Sequence, residues 1–385
     1  MNRRPDKLEK GCPYTRVEYL ENLGWSRVFL PVYPKAGDVV EIESELSYTD
    51  VSFRQSELAG YDAPWFFWGV YDTPTWYAGG TDTLYSQQTA DTDWHVFKLV
   101  SLGDAAGLWI DGQKIVDIKQ YPDVVYAPQG IELWSYSNGR RNSLNRKKWL
   151  RITINGKEVM YLLPVLDAYG VPALYDSVSR QLFYNIGEDA LVAGPMLLPS
   201  GYAELEYLEG TGSQYCSIPV LADGSDEREF SCLSDIQFLG STRQLMGFST
   251  NACCYWGCNG GTAYELGLDY LLPVDVKKRQ LVKFCRKSGV ANLVCSGASK
   301  TRTTMDAPKV FNSYGILHAV IKTATVDICQ ARLFSVKIYE DEKMTRDMIP
   351  ILDSGGVCCL FDRVSGRCFY SEGEEHFIAG PLLGA

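Results

Sequence analysis

Glu41, Glu43 and Glu45, at alternate positions of one short segment, are the side chains whose type and spacing come closest to catalysis. An extended strand turns every second side chain to the same face, so the three carboxylates project together. A strand-borne glycosidase sets out nucleophile, helper and acid/base in that way. Three features count against it here. The middle residue is Glu where that pattern has Asp, and the segment lies near the start of its domain rather than on a central strand. The matching stretch further along the chain reads Glu229, Ser231 and Leu233. The Cα atoms of Glu41 and Glu45 would also stand about 13 Å apart at roughly 3.3 Å per residue, far from the spacing of a retaining pair. A solvated strand face is the expectation, and no catalytic residue is assigned.

Histidine is scarce, only His95, His318 and His376, and no nucleophile elbow or catalytic-cysteine signature accompanies any of them. His95 follows Trp94 on an expected strand and reads as structural. The 12 cysteines comprise Cys12 and 11 that all follow residue 215. Many stand where a matching earlier segment has apolar residues, so small buried hydrophobes in the thiol form are expected. Cys253, Cys254 and Cys258 lack a second ligand pair at zinc-site spacing, and no calcium-loop pattern occurs. No metal and no cofactor are expected.

The aromatic stretch Pro64–Gly80 holds Trp65, Trp68 and Trp76. Its first part reads as a core strand. Asp72–Gly80 has Pro74, Gly79 and Gly80, which is loop chemistry. Trp76 and Tyr77 on such a loop either fold back as a lid or offer flat faces for sugar rings to stack on. With Asp72 beside them to accept hydroxyl hydrogen bonds, Asp72, Trp76 and Tyr77 form the candidate ligand site. The basic stretch Arg140, Arg141, Arg146, Lys147 and Lys148 reads as a solvated polar loop, with an anionic glycan as the alternative contact.

The elements that must position these residues are set by an internal repeat. Residues 14–32 align without gaps to 202–220 with eight of 19 identities, and 164–195 align to 350–381 with 16 of 32. A period near 187 is too long for a solenoid unit, so each copy is a domain. The expected organisation is a leader over 1–13, a domain over 14–195, a linker over 196–201 and a second domain over 202–385. Short β-branched and aromatic runs separated by turn residues, with no helical stripe, predict an all-β chain of two tandem sandwiches.

Two further motifs carry a resemblance. Trp94-His95-Val96-Phe97, followed by Leu108-Trp109-Ile110-Asp111-Gly112, resembles the strand pair of laminin-G-like, concanavalin-A-like jelly rolls. The opening YxxxEYLE and the closing block ending in Ala-Gly-Pro are similar to a repeat of gut-bacterial surface proteins and bacteriophage virion proteins. The second copy departs from the pattern, with Ser296-Gly297 in place of Asp111-Gly112. The resemblance implies a jelly-roll fold and, often, glycan or receptor binding; it brings no catalytic residues.

Composition bounds what remains. The chain has 385 residues, 46% hydrophobic and 22% charged, which suits globular domains rather than disorder. A net charge of −10 argues against a nucleic-acid binder. No apolar run reaches membrane-spanning length, and residues 1–13 lack the apolar core of a secretory signal, so synthesis in a cytoplasm and incorporation into a virion are expected. The reading is a non-enzymatic tandem jelly-roll protein that recognises a glycan or host-surface polysaccharide. A structural virion protein touching only other virion subunits stands second, and a glycoside hydrolase using Glu41 and Glu45 third.

Overall fold

The computed structural model describes residues 12–60, 66–72, 74–79, 83–120, 123, 130–134, 143–219, 227–236, 243–248, 254–259, 262–265, 268–273, 278–287, 290–295, 297–303, 313–317, 319–321, 324–326 and 329–383. Among them every regular element is a β-strand, and none is a helix. The chain divides into two compact units, Met1–Leu197 and Leu198–Ala385. No helix of the described residues is long and apolar enough to cross a membrane.

Unit 1 is a sandwich. Its larger sheet has Val40–Tyr48 between His95–Val100 and Asn145–Ile154, all antiparallel. Opposite it lie Val28–Leu30, Ile131–Leu133 and Leu58–Gly60 in one small sheet, and Gln55–Ser56, Phe67–Val70, Thr75–Gly79 and Thr83–Thr89 in another. The reason is written in the alternation of Val40-Glu-Ile-Glu-Ser-Glu-Leu46: Val40, Ile42, Ser44 and Leu46 are buried while each glutamate is only partly covered. Ile42, Phe97, Leu150 and Ile152 from the larger sheet meet Leu30, Leu133, Trp68 and Trp76 from the smaller ones in one core.

Unit 2 repeats the plan with Glu227–Ile236 between Gln280–Lys287 and Ala331–Glu340. The ladders fix residue-by-residue equivalence. Asn145 pairs with Tyr48 and Ala331 with Ile236, so Val40–Tyr48 corresponds to Arg228–Ile236, and Asn145–Ile154 to Ala331–Glu340. Cys216, Cys232, Cys295, Cys329, Cys358 and Cys359 are buried in unit 2, where they act as small apolar side chains.

Three expectations are corrected here. Val40–Tyr48 is a central strand of its sheet, not a marginal one. Thr75–Gly79, expected as loop, is a strand paired on both sides. Arg146, Lys147 and Lys148 lie on a strand, with Lys147 fully buried, while Arg140 and Arg141 fall outside the described residues.

Candidate functional site

The outward face of the larger sheet of unit 1 gathers the glutamates with tryptophans and cations. Register puts Lys98 and Arg151 on either side of Glu43, and Trp109 beyond Lys98 in the same row. Lys98 Nζ lies 2.6 Å from Glu41 Oε2, Arg151 pairs with Glu43, and Lys148 Nζ lies 2.7 Å from Glu45 Oε1. Trp149 Nε1 donates to Glu45 Oε2 at 3.1 Å, and its ring stacks on Tyr161 at 6.3 Å. Trp109 Nε1 donates to the Ala105 carbonyl at 2.9 Å, and Trp94 lies 4.2 Å beneath Lys148 Nζ. All three tryptophans remain partly exposed.

This geometry suits binding better than hydrolysis. A retaining or inverting pair needs one carboxyl to protonate and another to attack or activate water. Here each carboxylate is already engaged by its own cation, and Glu41 and Glu45 stand in a row on one sheet face. Each ring has a neighbour against it, Lys148 over Trp94, Lys114 over Trp109 and Tyr161 stacked on Trp149, and the part that stays exposed lies beside hydrogen-bonding charges, a combination a hydroxyl-rich ligand can use.

Unit 2 forms the same ladder without this surface. Trp94, Trp109 and Trp149 correspond to Arg279, Val294 and Ser335, and Glu43 and Glu45 to Ser231 and Leu233. One contact survives in exchanged form: Arg279 lies 4.1 Å over Phe334, which stands where unit 1 has Lys148. Trp109 and Trp149 have no such counterpart, so the fold does not require them.

The sequence-expected site is divided. Asp72 is exposed, with one carboxylate oxygen accepting from the Arg54 amide at 3.1 Å. Trp76 and Tyr77 are 2% and 0% exposed. Trp76 packs at 5.5 Å from Tyr48 and 5.1 Å from Phe97. Tyr77 donates to the Gln55 carbonyl at 2.9 Å and sits beneath the Arg54 guanidinium at 5.4 Å. Neither ring offers a free face, which corrects the expectation of an exposed aromatic loop. Among the described residues Tyr85 is exposed there and stacks on Tyr77 at 6.3 Å. Trp65 and Gly80 lie outside the described residues.

Two polar clusters went unseen in the sequence. Lys147 and Glu57 form a fully buried ion pair in the core of unit 1, joined by Asn145, Ser143 and the Trp134 indole, whose Nε1 donates to Asn145 Oδ1 at 2.7 Å. Burial lowers the Lys147 pKa, and the Glu57 carboxylate only partly opposes that. Glu57 lies 90 residues from Lys147, so no local pattern signals the pair. His95, expected to be structural, is held between Asp111 at 2.6 Å on Nδ1 and Asp91 at 2.9 Å on Nε2. Partial burial disfavours its cation, but the two carboxylates outweigh this and raise its pKa above the usual value. They occupy opposite sides of the ring and do not converge on a metal position. Among the described residues no group of three His, Cys, Asp or Glu side chains does so. His318, Cys253 and Ser296 lie outside the described residues, as do the side chains of Cys254 and Cys258.

No family model matches the sequence, and no curated protein sequence matches it. Among solved structures the chain is similar to mouse laminin alpha1 chain domains LG4-5, at 10% identity, covering 98% of this chain and 99% of that one with a TM-score of 0.34. It is also similar to the LG1-3 region of the laminin alpha2 chain, at 12% identity, 95% and 66% coverage and a TM-score of 0.28. A third likeness is to fructofuranosidase from Schwanniomyces occidentalis, at 10% identity, 75% and 70% coverage and a TM-score of 0.24. The assignment of two tandem β-sandwiches rests on the chain's own ladders and repeat.

Proposed function

We propose that the chain is a non-enzymatic recognition protein that binds a polysaccharide on the outward face of the larger sheet of unit 1. The observation that carries this is the asymmetry between units: Trp109 and Trp149 stand on unit 1, where the equivalent ladder of unit 2 has Val294 and Ser335. Tryptophan is enriched where a surface makes contact, since its ring supplies apolar area and its N–H a polar edge. Trp109 and Trp149 lie three strand spacings apart, about 14 Å at roughly 4.8 Å each, which suits an extended chain rather than one sugar. The setting we propose, the surface of a gut bacterium or of a bacteriophage particle, is supported by the resemblance of the repeat ends alone.

The test is titration of bacterial-surface polysaccharides against the full chain, with release of reducing ends followed in the same samples. Binding without turnover is expected, weakened about tenfold by Trp109→Ala or Trp149→Ala, the loss of roughly one stacking contact. Turnover abolished by Glu41→Gln and by Glu45→Gln would instead establish the hydrolase.

A further inference from the structure

A groove of about 340 Å³ opens in unit 1, and its lining includes Pro31, Tyr33, Met160, Asp176 and Phe183. Its meaning comes from unit 2, where the same position is filled by the protein itself. Met160 pairs with Ile152 and Arg346 with Ile338, and Asp176 pairs with Leu162 and Asp362 with Met348, so Arg346 stands where unit 1 has Met160. The Arg346 guanidinium is held by three partners. Nη1 lies 3.3 Å from Asp362 Oδ2, Nη2 donates to the Pro219 carbonyl at 3.0 Å, and the Phe369 ring centroid is 6.0 Å away.

All three partners recur in unit 1 as Asp176, Pro31 and Phe183, and only the cation is missing. Even the carboxylate is aimed alike. Asp176 Oδ1 accepts from the Tyr161 and Val178 amides at 2.9 and 3.1 Å, and Asp362 Oδ1 from those of Asp347 and Val364 at the same distances. Asp176 Oδ2 takes one further amide, from Ser179 at 3.0 Å, and no ion pair engages it among the described residues. Those amides explain why an aspartate stands at this turn; they do not explain an open groove beside it. Asp176 is buried at the base of the groove, whose lining also holds Ser179 and Gln181, so a cation that reaches the carboxylate meets little competing water but must itself be desolvated and hydrogen-bonded there.

We propose that this groove receives an arginine side chain from a protein partner, which docks as Arg346 docks in unit 2. Arginine fits better than lysine, since its planar fork reaches a carboxylate and a carbonyl at once and lies against aromatic rings. Phe183 and the exposed Tyr33 supply those rings. The proposal does not depend on the polysaccharide reading, whose tryptophans do not line this groove.

The test is titration of the full chain with the capped tripeptide Gly-Arg-Gly and its lysine and citrulline analogues, followed by NMR and calorimetry. Saturable binding of the arginine peptide is expected, with at least tenfold weaker binding of the lysine form and none of the neutral citrulline form. Met160→Arg, which reproduces unit 2, should reduce binding at least tenfold while leaving the unfolding temperature unchanged or higher. Absence of saturable binding to the wild type, equal binding of citrulline or lysine, or undiminished binding to a folded Met160→Arg protein would each overturn the proposal. The peptide series needs no variant, so a Met160→Arg protein that failed to fold would leave it decisive.

Discussion

Lys147 and Glu57 are both fully buried, and unit 2 shows what the fold does without them. Its ladder places Leu333 at the Lys147 position and Ala331 at that of Asn145, all within the core. An ion pair buried this deeply is costly to break from one side, because the remaining charge has no solvent to turn to. Lys147→Ala should therefore destabilise unit 1 by about 3–5 kcal/mol in urea unfolding. The double variant Lys147→Leu, Glu57→Leu should recover most of that loss; a double variant as damaging as the single one would show that the pair is worth more than apolar packing. His95 gives a prediction of opposite chemistry. Its pKa is raised in the folded chain, so its contribution to stability is full below the unfolded value of about 6.5 and is lost as pH rises through the higher folded value. Unfolding at pH 5.5 and 8.5 should show wild type losing its advantage over His95→Gln at the higher pH, and an advantage that grew with pH would contradict the bridge to Asp91 and Asp111.

Among the elements, Val40–Tyr48 and Thr75–Gly79 show what a sequence can and cannot reveal. The first alternates because one face meets the core and the other water, so period-two reading found it and placed its glutamates outward. The second is covered on both faces. Trp76 and Ala78 join the core while Tyr77 packs under Arg54 and Tyr85, so no alternation survives and the flanking Pro74 and Gly80 read as loop punctuation. Eight of the nine tryptophans fall in the first copy, but placing Trp109 and Trp149 on one face needed the register. The Met160/Arg346 exchange lay four residues before the aligned closing block and needed the same ladders to acquire meaning. If Thr75–Gly79 is a core strand, Trp76→Ala should cost about 3–5 kcal/mol of unfolding free energy. A cost below about 1 kcal/mol in the same urea titration would return the ring to the surface.

The whole molecule is one sandwich plan built twice, with different residues carried on it. Unit 2 closes the plan with apolar and cysteine side chains in its core and with its own Arg346 against Asp362. Unit 1 keeps a tryptophan-bearing outer face and an unfilled groove at the equivalent places. Sandwiches of this kind serve many purposes, so the proposed binding rests on what unit 1 carries rather than on the fold. The most direct measurement is polysaccharide titration of the double exchange Trp109→Val, Trp149→Ser, which gives unit 1 the residues of unit 2. An unfolding transition close to that of the wild type together with loss of most binding is expected. Binding that survives the exchange in a folded protein would contradict the proposed site.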